Sequence, residues 1–398
     1  MISLVHPGCN ANVREVAKAF EKRGKLEEIF TSISGWKGLG LFRKYPEIQF
    51  SKISTHASRE YMRLICQKVG IHFLTRHEKG MFCIDRVWRE IDQWASENLS
   101  QQTKLVYAYE DAAYHSFKRA KAAGLKTVYD LPIGYWKASR EIYKEEQDRF
   151  PEFASLIQGL QDSEEKLERK DRELELADRV HACSGFVKST LIQYGYPEDK
   201  IRVMQFGAPS LQNVDFKTSI EKGANRPFRV LFVGRMDQRK GIGYLLKAMQ
   251  HFDPREVEFH MIGSKPSSME VLSPYWGRVV DHGTMSQKQV WEIMKSCDLF
   301  VFPSLFEGQA LVVLEAMACG LPVVVTPHAG ADRVVRDGLD GFVIPIRSTE
   351  EIVNKIVWMK SHPEERNQMA KSAMIRSHEF TWEGYQKEVL QSAEELLR

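Results

Sequence analysis

The sequence predicts an α/β fold: two doubly wound, Rossmann-like parallel-sheet domains facing each other across a cleft. Three observations carry this reading. Short β-rich runs alternate with longer helical patterns along the chain, the mark of βαβ units. The 398 residues exceed what one hydrophobic core usually serves. Between the halves, residues 207–227 hold two Gly-Ala pairs and two prolines and sustain no period, which makes them a linker candidate.

In chain order, residues 2–6 read as a first strand, and 13–23 follow as a helix with Val13, Val16, Ala17 and Phe20 at helical spacing. Residues 105–109 and 112–123 repeat the pair. The charge-dense run 162–178 reads as a solvated structural helix, with Glu165 and Arg169 attracting and Glu164 and Glu168 repelling. In the second half, strands at 229–233, 258–262, 299–303 and 322–326 alternate with helices at 244–250, 287–295 and 310–319. The domain expectation is therefore 1–207 for the first domain, 208–227 for the linker, 228–380 for the second domain, and a last helix in 381–398.

Composition narrows the class. The chain is 43% hydrophobic and 27% charged, ordinary globular values that argue against disorder or a coiled-coil rod. Its most apolar run, 311–325, is interrupted by Glu315, Gly320 and Pro322, so no bilayer-spanning helix is expected. The short apolar start, with no basic segment before it, reads as a strand of a cytoplasmic protein rather than an export signal. Cys9, Cys66, Cys83, Cys183, Cys297 and Cys319 lie far apart, so buried thiols are expected rather than a zinc or redox site. A net charge of +3 disfavours nucleic-acid binding. The charge is nevertheless polarised: residues 1–126 hold 21 Lys+Arg against 13 Asp+Glu, which is +8, and the remainder holds 35 against 40, which is −5. A basic first segment can attract an anionic acceptor or the anionic inner face of a membrane, although basic residues scattered over solvated helices give the same count.

Chemistry concentrates at two strand ends. After 229–233 come Gly234, Arg235, Lys240 and Gly241, where glycines allow close backbone approach and the two cations supply charge suited to phosphate. After 299–303 come Glu307, Gly308, Gln309, Ala310 and Leu311, with Glu315 two turns further on, about 12 Å along the axis if the run is helical. Glu315 stands in an apolar helix with no cation nearby in sequence, which favours a hydroxyl-rich ligand.

These segments resemble a known family. Gly234-Arg235…Lys240-Gly241, and Pro303-Ser304-x-x-Glu307-Gly308…Glu315-Ala316-Met317-Ala318-Cys319-Gly320-Leu321-Pro322, are similar to the signatures of family 4 retaining glycosyltransferases of the GT-B fold, including the Glu-x7-Glu motif. The resemblance is strong over 175–350 and thin before that. It implies a hexosyl transfer with retention from a nucleotide diphosphate sugar to an acceptor hydroxyl; the basic acceptor side and the lack of an export signal point to bacterial polysaccharide or glycolipid assembly, with a glycan or lipid-linked acceptor. No cofactor and no metal are implied, because Arg235 and Lys240 would hold the diphosphate. Glu307 would contact the donor sugar, with the amides of Gly308, Gln309, Ala310 and Leu311 around sugar and phosphate. Glu315 would accept from ribose hydroxyls, and Gly263, His282, Gly283 and Thr284 would flank the base. The last helix would cross back to the first domain.

The chain departs from the family pattern in two places. Gly308-Gln309-Ala310 stands where Gly-Phe-Gly is frequent, and Gln309 could add a hydrogen bond to the sugar. Asp130 stands where the family often has a histidine near the reacting sugar. A carboxylate there could take the acceptor proton or support positive charge at the sugar, and a turn residue capping the segment after Pro132 is an equal reading. Glu110 and Asp111 are further acceptor-side candidates. So are Gly8 and Asn10 after the first strand, through backbone amides, with a plain N-cap as the alternative. His56 and His115 read as ordinary histidines. Two rivals keep the fold: a non-catalytic nucleotide-sugar-binding subunit, and an epimerase-like enzyme.

Overall fold

A computed structural model describes residues 1–33, 45, 47–157, 159–209 and 226–398. Most of the expected linker, 208–227, lies outside the described residues. The first sheet is built from β1 (Ile2–Val5), β2 (Leu26–Thr31), β3 (Ile53–Thr55), β4 (Leu105–Tyr109), β5 (Lys126–Leu131), β6 (Arg179–Ala182) and β7 (Ile201–Val203). All its pairs are parallel, in the order β3-β2-β1-β4-β5-β6-β7. The second sheet uses β8 (Phe228–Val233), β9 (Val257–Ile262), β10 (Val279–Gly283), β11 (Leu299–Phe302), β12 (Val323–Val325) and β13 (Gly341–Val343), also parallel, in the order β10-β9-β8-β11-β12-β13. Central strands such as β1, β4 and β11 are apolar and buried along almost their whole length because helices cover both faces.

Each sheet reverses its strand order once, between β1 and β4 and between β8 and β11. Such a reversal leaves a crevice at the strands' carboxyl ends. The segments emptying into these crevices are 6–12, 110–113, 234–241 and 303–310.

Two hydrophobic cores form, one around each sheet, and each borrows from the other half of the chain. Phe153 and Leu156, which precede β6, pack into the second core. The terminal helix Trp382–Leu397 packs Tyr385, Val389 and Ala393 into the first. His181 of β6 clasps that helix, with its Nε2 2.9 Å from the Ser392 hydroxyl. Burial drives the His181 imidazole down to about 3, so it is neutral.

One expectation fails. The helix Glu164–Leu176 is not a solvated rod, because Lys166, Leu167, Lys170, Glu173 and Leu174 are buried against the first sheet. The Glu165–Arg169 pairing is replaced as well: Arg169 turns inward to Asp111 at 3.2 Å, and Glu165 meets Arg89 at 3.1 Å. A charge run is solvated only when no opposite charges await it, and here Asp85, Glu110 and Asp111 do.

Candidate active site

The turn after β8 is shaped by backbone crowding. Gly263, at the end of β9, has φ +143°, and a Cβ there would stand 1.9 Å from the Gly234 carbonyl oxygen. The end of β9 can approach the Gly234 backbone this closely only as glycine. Asp237 then caps a 3-10 turn, its carboxylate accepting from the Lys240 amide at 3.1 Å. That turn aims Arg239 and Lys240 at the segment following β11.

There they meet Glu307. Lys240 Nζ lies 2.5 Å from Glu307 Oε1, and Arg239 Nη1 lies 3.0 Å from Oε2. One carboxylate is thus clamped by two cations, one on each oxygen. Arg235 is exposed, with Asp237 3.9 Å from its Nε, so its guanidinium remains open to a ligand. Sequence reasoning singled out Lys240 and Arg235 and missed Arg239; the signal was the Arg-Lys doublet itself. Glu315, one turn into the helix Leu311–Ala318, takes a hydrogen bond from Gln287, and burial raises its carboxyl above the ordinary range. His282 stacks on His260, their ring nitrogens 2.9 Å apart, and burial lowers its basicity. Gly283 has φ +63°, and Thr284 is exposed beside it.

The Glu307 loop is also where the two domains touch. A Cβ on Gly308 would stand 1.8 Å from the Pro132 carbonyl oxygen, so only glycine fits at this crossing. The Gly308 carbonyl accepts from the Ser184 hydroxyl at 2.7 Å, and Phe306 packs against Tyr143 and Phe186. Gln309 does not face a sugar: its Oε1 accepts from the Phe206 amide at 2.7 Å, which uses the side chain to hold the two halves together. Ala310 is buried beside it, and Leu311 is half-buried at the helix start. A third tie was also missed. The fully buried Glu146 carboxylate, on the helix Trp136–Arg149, accepts from Gln238 at 2.7 Å, Tyr244 at 3.0 Å and Arg347 at 2.9 Å.

Between the domains lies a cavity of about 290 Å³, lined by Arg235, Arg239 and Phe306 on one side and Glu110, Trp136 and Lys170 on the other. Of the acceptor-side candidates, Glu110 alone reaches this wall. It is paired with Lys170 at 3.2 Å, and burial still raises its carboxyl, with Asp111 adding to the rise and Lys170 opposing it. Asp111 is drawn instead into the buried charges, 3.2 Å from Arg169 and 3.5 Å from Lys170. Asp130 is 3% exposed, with Asn12 3.4 Å away, and burial pushes its carboxyl up to about 7 against the pull of the Tyr107 hydroxyl. Asp130 therefore does not line the cavity, nor does it cap a turn after Pro132. Asn10 is an N-cap, accepting from the Val13 amide at 3.4 Å, and the Gly8 amide is spent on His6 Nδ1 at 3.0 Å. The Gly8 amide invoked for the acceptor side is therefore already engaged, and Asn10 takes the plain N-cap role given as its alternative.

His56 pairs with Glu90 at 3.0 Å. Five of the six cysteines are buried thiols, and Cys9 is half-buried. Among the described residues, the one group with metal-ligand spacing is His77, Glu78 and Asp162. The Lys166 ammonium sits 3.0 Å from Asp162.

Residues 227–362 match the family model for glycosyl transferases group 1. Solved structures share the architecture over nearly the whole chain. Sucrose-phosphate synthase from Thermosynechococcus elongatus aligns over 99% of this chain and 98% of that one, with a TM-score of 0.67 and 18% identity. Anabaena HepE in complex with UDP aligns over 99% of both, with a TM-score of 0.64 and 19% identity. The fold is GT-B, and the similarity to the glycosyl transferases group 1 model is confined to 227–362. Among curated relatives, the alpha-maltose-1-phosphate synthase of Mycolicibacterium smegmatis is 27% identical over 52% of this chain and 61% of its own. The alpha-D-kanosaminyltransferase of Streptomyces kanamyceticus is 31% identical over 37% of this chain and 40% of its own. The chain spans about half the length of the curated relatives it matches. No helix of the described residues is long and apolar enough to cross a membrane.

Proposed function

We propose that the protein is a retaining hexosyltransferase of family 4. It would move a sugar from a nucleoside diphosphate sugar to an acceptor hydroxyl in bacterial polysaccharide or glycolipid assembly on the cytoplasmic side. The observation that carries this is the Glu307 carboxylate, fixed by Lys240 and Arg239 beside the open Arg235 guanidinium at the cleft. In the reaction, the acceptor oxygen bonds to the anomeric carbon on the face from which the diphosphate leaves with its bonding pair. The acceptor proton passes to the departing phosphate oxygen. Arg235 and Lys240 offset the charge growing on that phosphate, the largest contribution expected of such a site. Glu307 orients the donor sugar, Glu315 receives ribose hydroxyls, and Gly263 with His282 to Thr284 borders the base. The scheme needs no metal. The acceptor approaches past Glu110, on the cavity wall, rather than past the covered Asp130.

Uridine is the first base to try, because HepE is seen with UDP and with UDP-glucose. Thermal-shift measurements with UDP, GDP, ADP and CMP test the donor site, since a ligand at 100 times its dissociation constant adds about 2.7 kcal/mol of stability. A shift with one diphosphate that disappears in Arg235→Ala and Glu315→Ala supports the reading. No shift with any of them, or shifts indifferent to both substitutions, overturns it, whereas a site-dependent shift without transfer to any acceptor leaves the non-catalytic reading standing. The anomeric configuration of the product, read by NMR, tests retention separately.

A further inference from the structure

Helix Ser58–Lys68 is inside out. The residues it turns inward are Glu60, 8% exposed, and Cys66, 2% exposed, with Arg63 clamped on Glu60 at 2.6 and 2.7 Å and Arg59 bound to Glu90. The residues it turns outward are Met62 and Ile65, with Val69 continuing the same stripe. At 3.6 residues per turn these three fall within about 60° of one another. A water-facing helix normally presents the opposite faces.

The apolar surface continues past the helix. Eight of the fourteen exposed large apolar side chains among the described residues lie in 62–84, and Phe73 is 73% and Met81 57% exposed. They are held in place rather than dangling: the Ile71 amide donates to the Cys66 carbonyl at 2.8 Å, and Arg59 Nη1 donates to the Met81 carbonyl at 2.5 Å. The charge around them has one sign. Lys68, Arg76, Lys79 and Arg86 are exposed and form no ion pair among the described residues. The three carboxylates of 58–86 are all engaged elsewhere: Glu60 with Arg63, Glu78 with the Ser163 amide, and Asp85 with Lys166. A neighbouring polar cavity of about 570 Å³ is lined by Arg59, Arg89, Lys166 and Arg169 together with Glu78, Asp85, Glu90 and Glu165, so its charges largely offset one another and the unpaired cations are those of the face itself.

We infer that the face formed by residues 62–86 docks on an anionic phospholipid surface. Met62, Ile65, Phe73 and Met81 enter the headgroup layer, while Lys68, Arg76, Lys79 and Arg86 meet lipid phosphates. A contiguous apolar patch marks an interaction site, and an apolar face ringed by unpaired cations is complementary to an acidic bilayer. The inference does not rest on the proposed transfer reaction and can be tested without donor or acceptor.

The test is sedimentation of the full-length protein with phosphatidylcholine vesicles, with and without phosphatidylglycerol. Binding is expected to rise about tenfold with the anionic lipid and to fall as salt shortens the screening length. An Ile65→Ser/Phe73→Ser variant and a separate Lys68→Glu/Arg76→Glu/Lys79→Glu variant should each lose most of that binding with unchanged circular dichroism. If one variant fails to fold, the other still decides. Equal binding to neutral vesicles, no binding to either kind, or folded variants that bind as the wild type does would overturn the proposal. So would a wild-type dimer in sedimentation equilibrium that the apolar variant converts to monomer, which would assign the face to a second copy of the chain.

Discussion

At the ends of β8 and β11, Arg239, Lys240 and Glu307 meet at the mouth of the cleft, and Arg235 faces solvent beside them. Behind β4 and β5, a larger set of charges is gathered under the helix Glu164–Leu176. Lys166 reaches Asp85 at 2.8 Å, Lys170 reaches Glu110 at 3.2 Å, and the fully buried Glu173 accepts from the Tyr129 hydroxyl at 2.9 Å. Burial, with Asp111 and Asp92 nearby, lifts the Glu173 carboxyl to about 8. Burial alone would lower Lys170, but Asp111 and Glu110 outweigh it and the ammonium is held charged. Both regions carry oppositely charged groups on doubly wound sheets, yet one leaves the Arg235 guanidinium exposed and the other is paired within itself, with only Glu110 and Lys170 also reaching the cavity wall. Charge density alone therefore does not mark a site; what matters is whether the charges leave room for a ligand.

That contrast can be broken by substitution. Lys240→Met should lower turnover by about 10²–10³-fold, the effect of removing one group that stabilises a leaving charge, with little change in melting temperature. Lys170→Met should act chiefly on stability, destabilising the fold by about 3–5 kcal/mol because Glu110 and Asp111 lose their buried counter-charge. Denaturant melts of both variants, alongside donor turnover, would erase the distinction if the two profiles coincided.

Asp130 sharpens it further. Its carboxyl titrates near 7 in the fold against about 3.9 unfolded, so the folded state holds the extra proton between those values and loses stability as pH rises through them. Asp130→Asn should therefore match the wild type below pH 4 and exceed it by up to about 4 kcal/mol above pH 7. A constant difference across pH would show that burial of this carboxyl is not what sets its state. The smallest effect is expected at Gln309, where Gln309→Ala strands the Phe206 amide at about 1–3 kcal/mol, read as a lower denaturation midpoint.

The second half was the more legible because its signals are local: glycines where backbones cross and cations following a strand. Gly308 shows what such a signal hides, since the same residue that completes a motif also seats the loop on Pro132 of the other domain. Gln309 was misread for that reason, its partner Phe206 lying 103 residues away. The first half resisted reading because its determinants are pairings across long separations, Lys166 with Asp85 and Arg347 with Glu146 among them. In a single sequence, a run such as 162–178 looks the same whether it faces water or buried carboxylates.

The exchange of segments between the cores has a mechanical corollary. Phe153 and Leu156 are built into the second core, and Tyr385 and Val389 into the first, so neither core is complete without chain that belongs to its neighbour. Heat should then melt both as one cooperative unit, in a single calorimetric peak whose van't Hoff and measured enthalpies agree, despite the two sheets. The same bracing confines any opening of the cleft to a rotation that leaves both straps attached, a jaw pinned on two sides rather than two lobes on a tether.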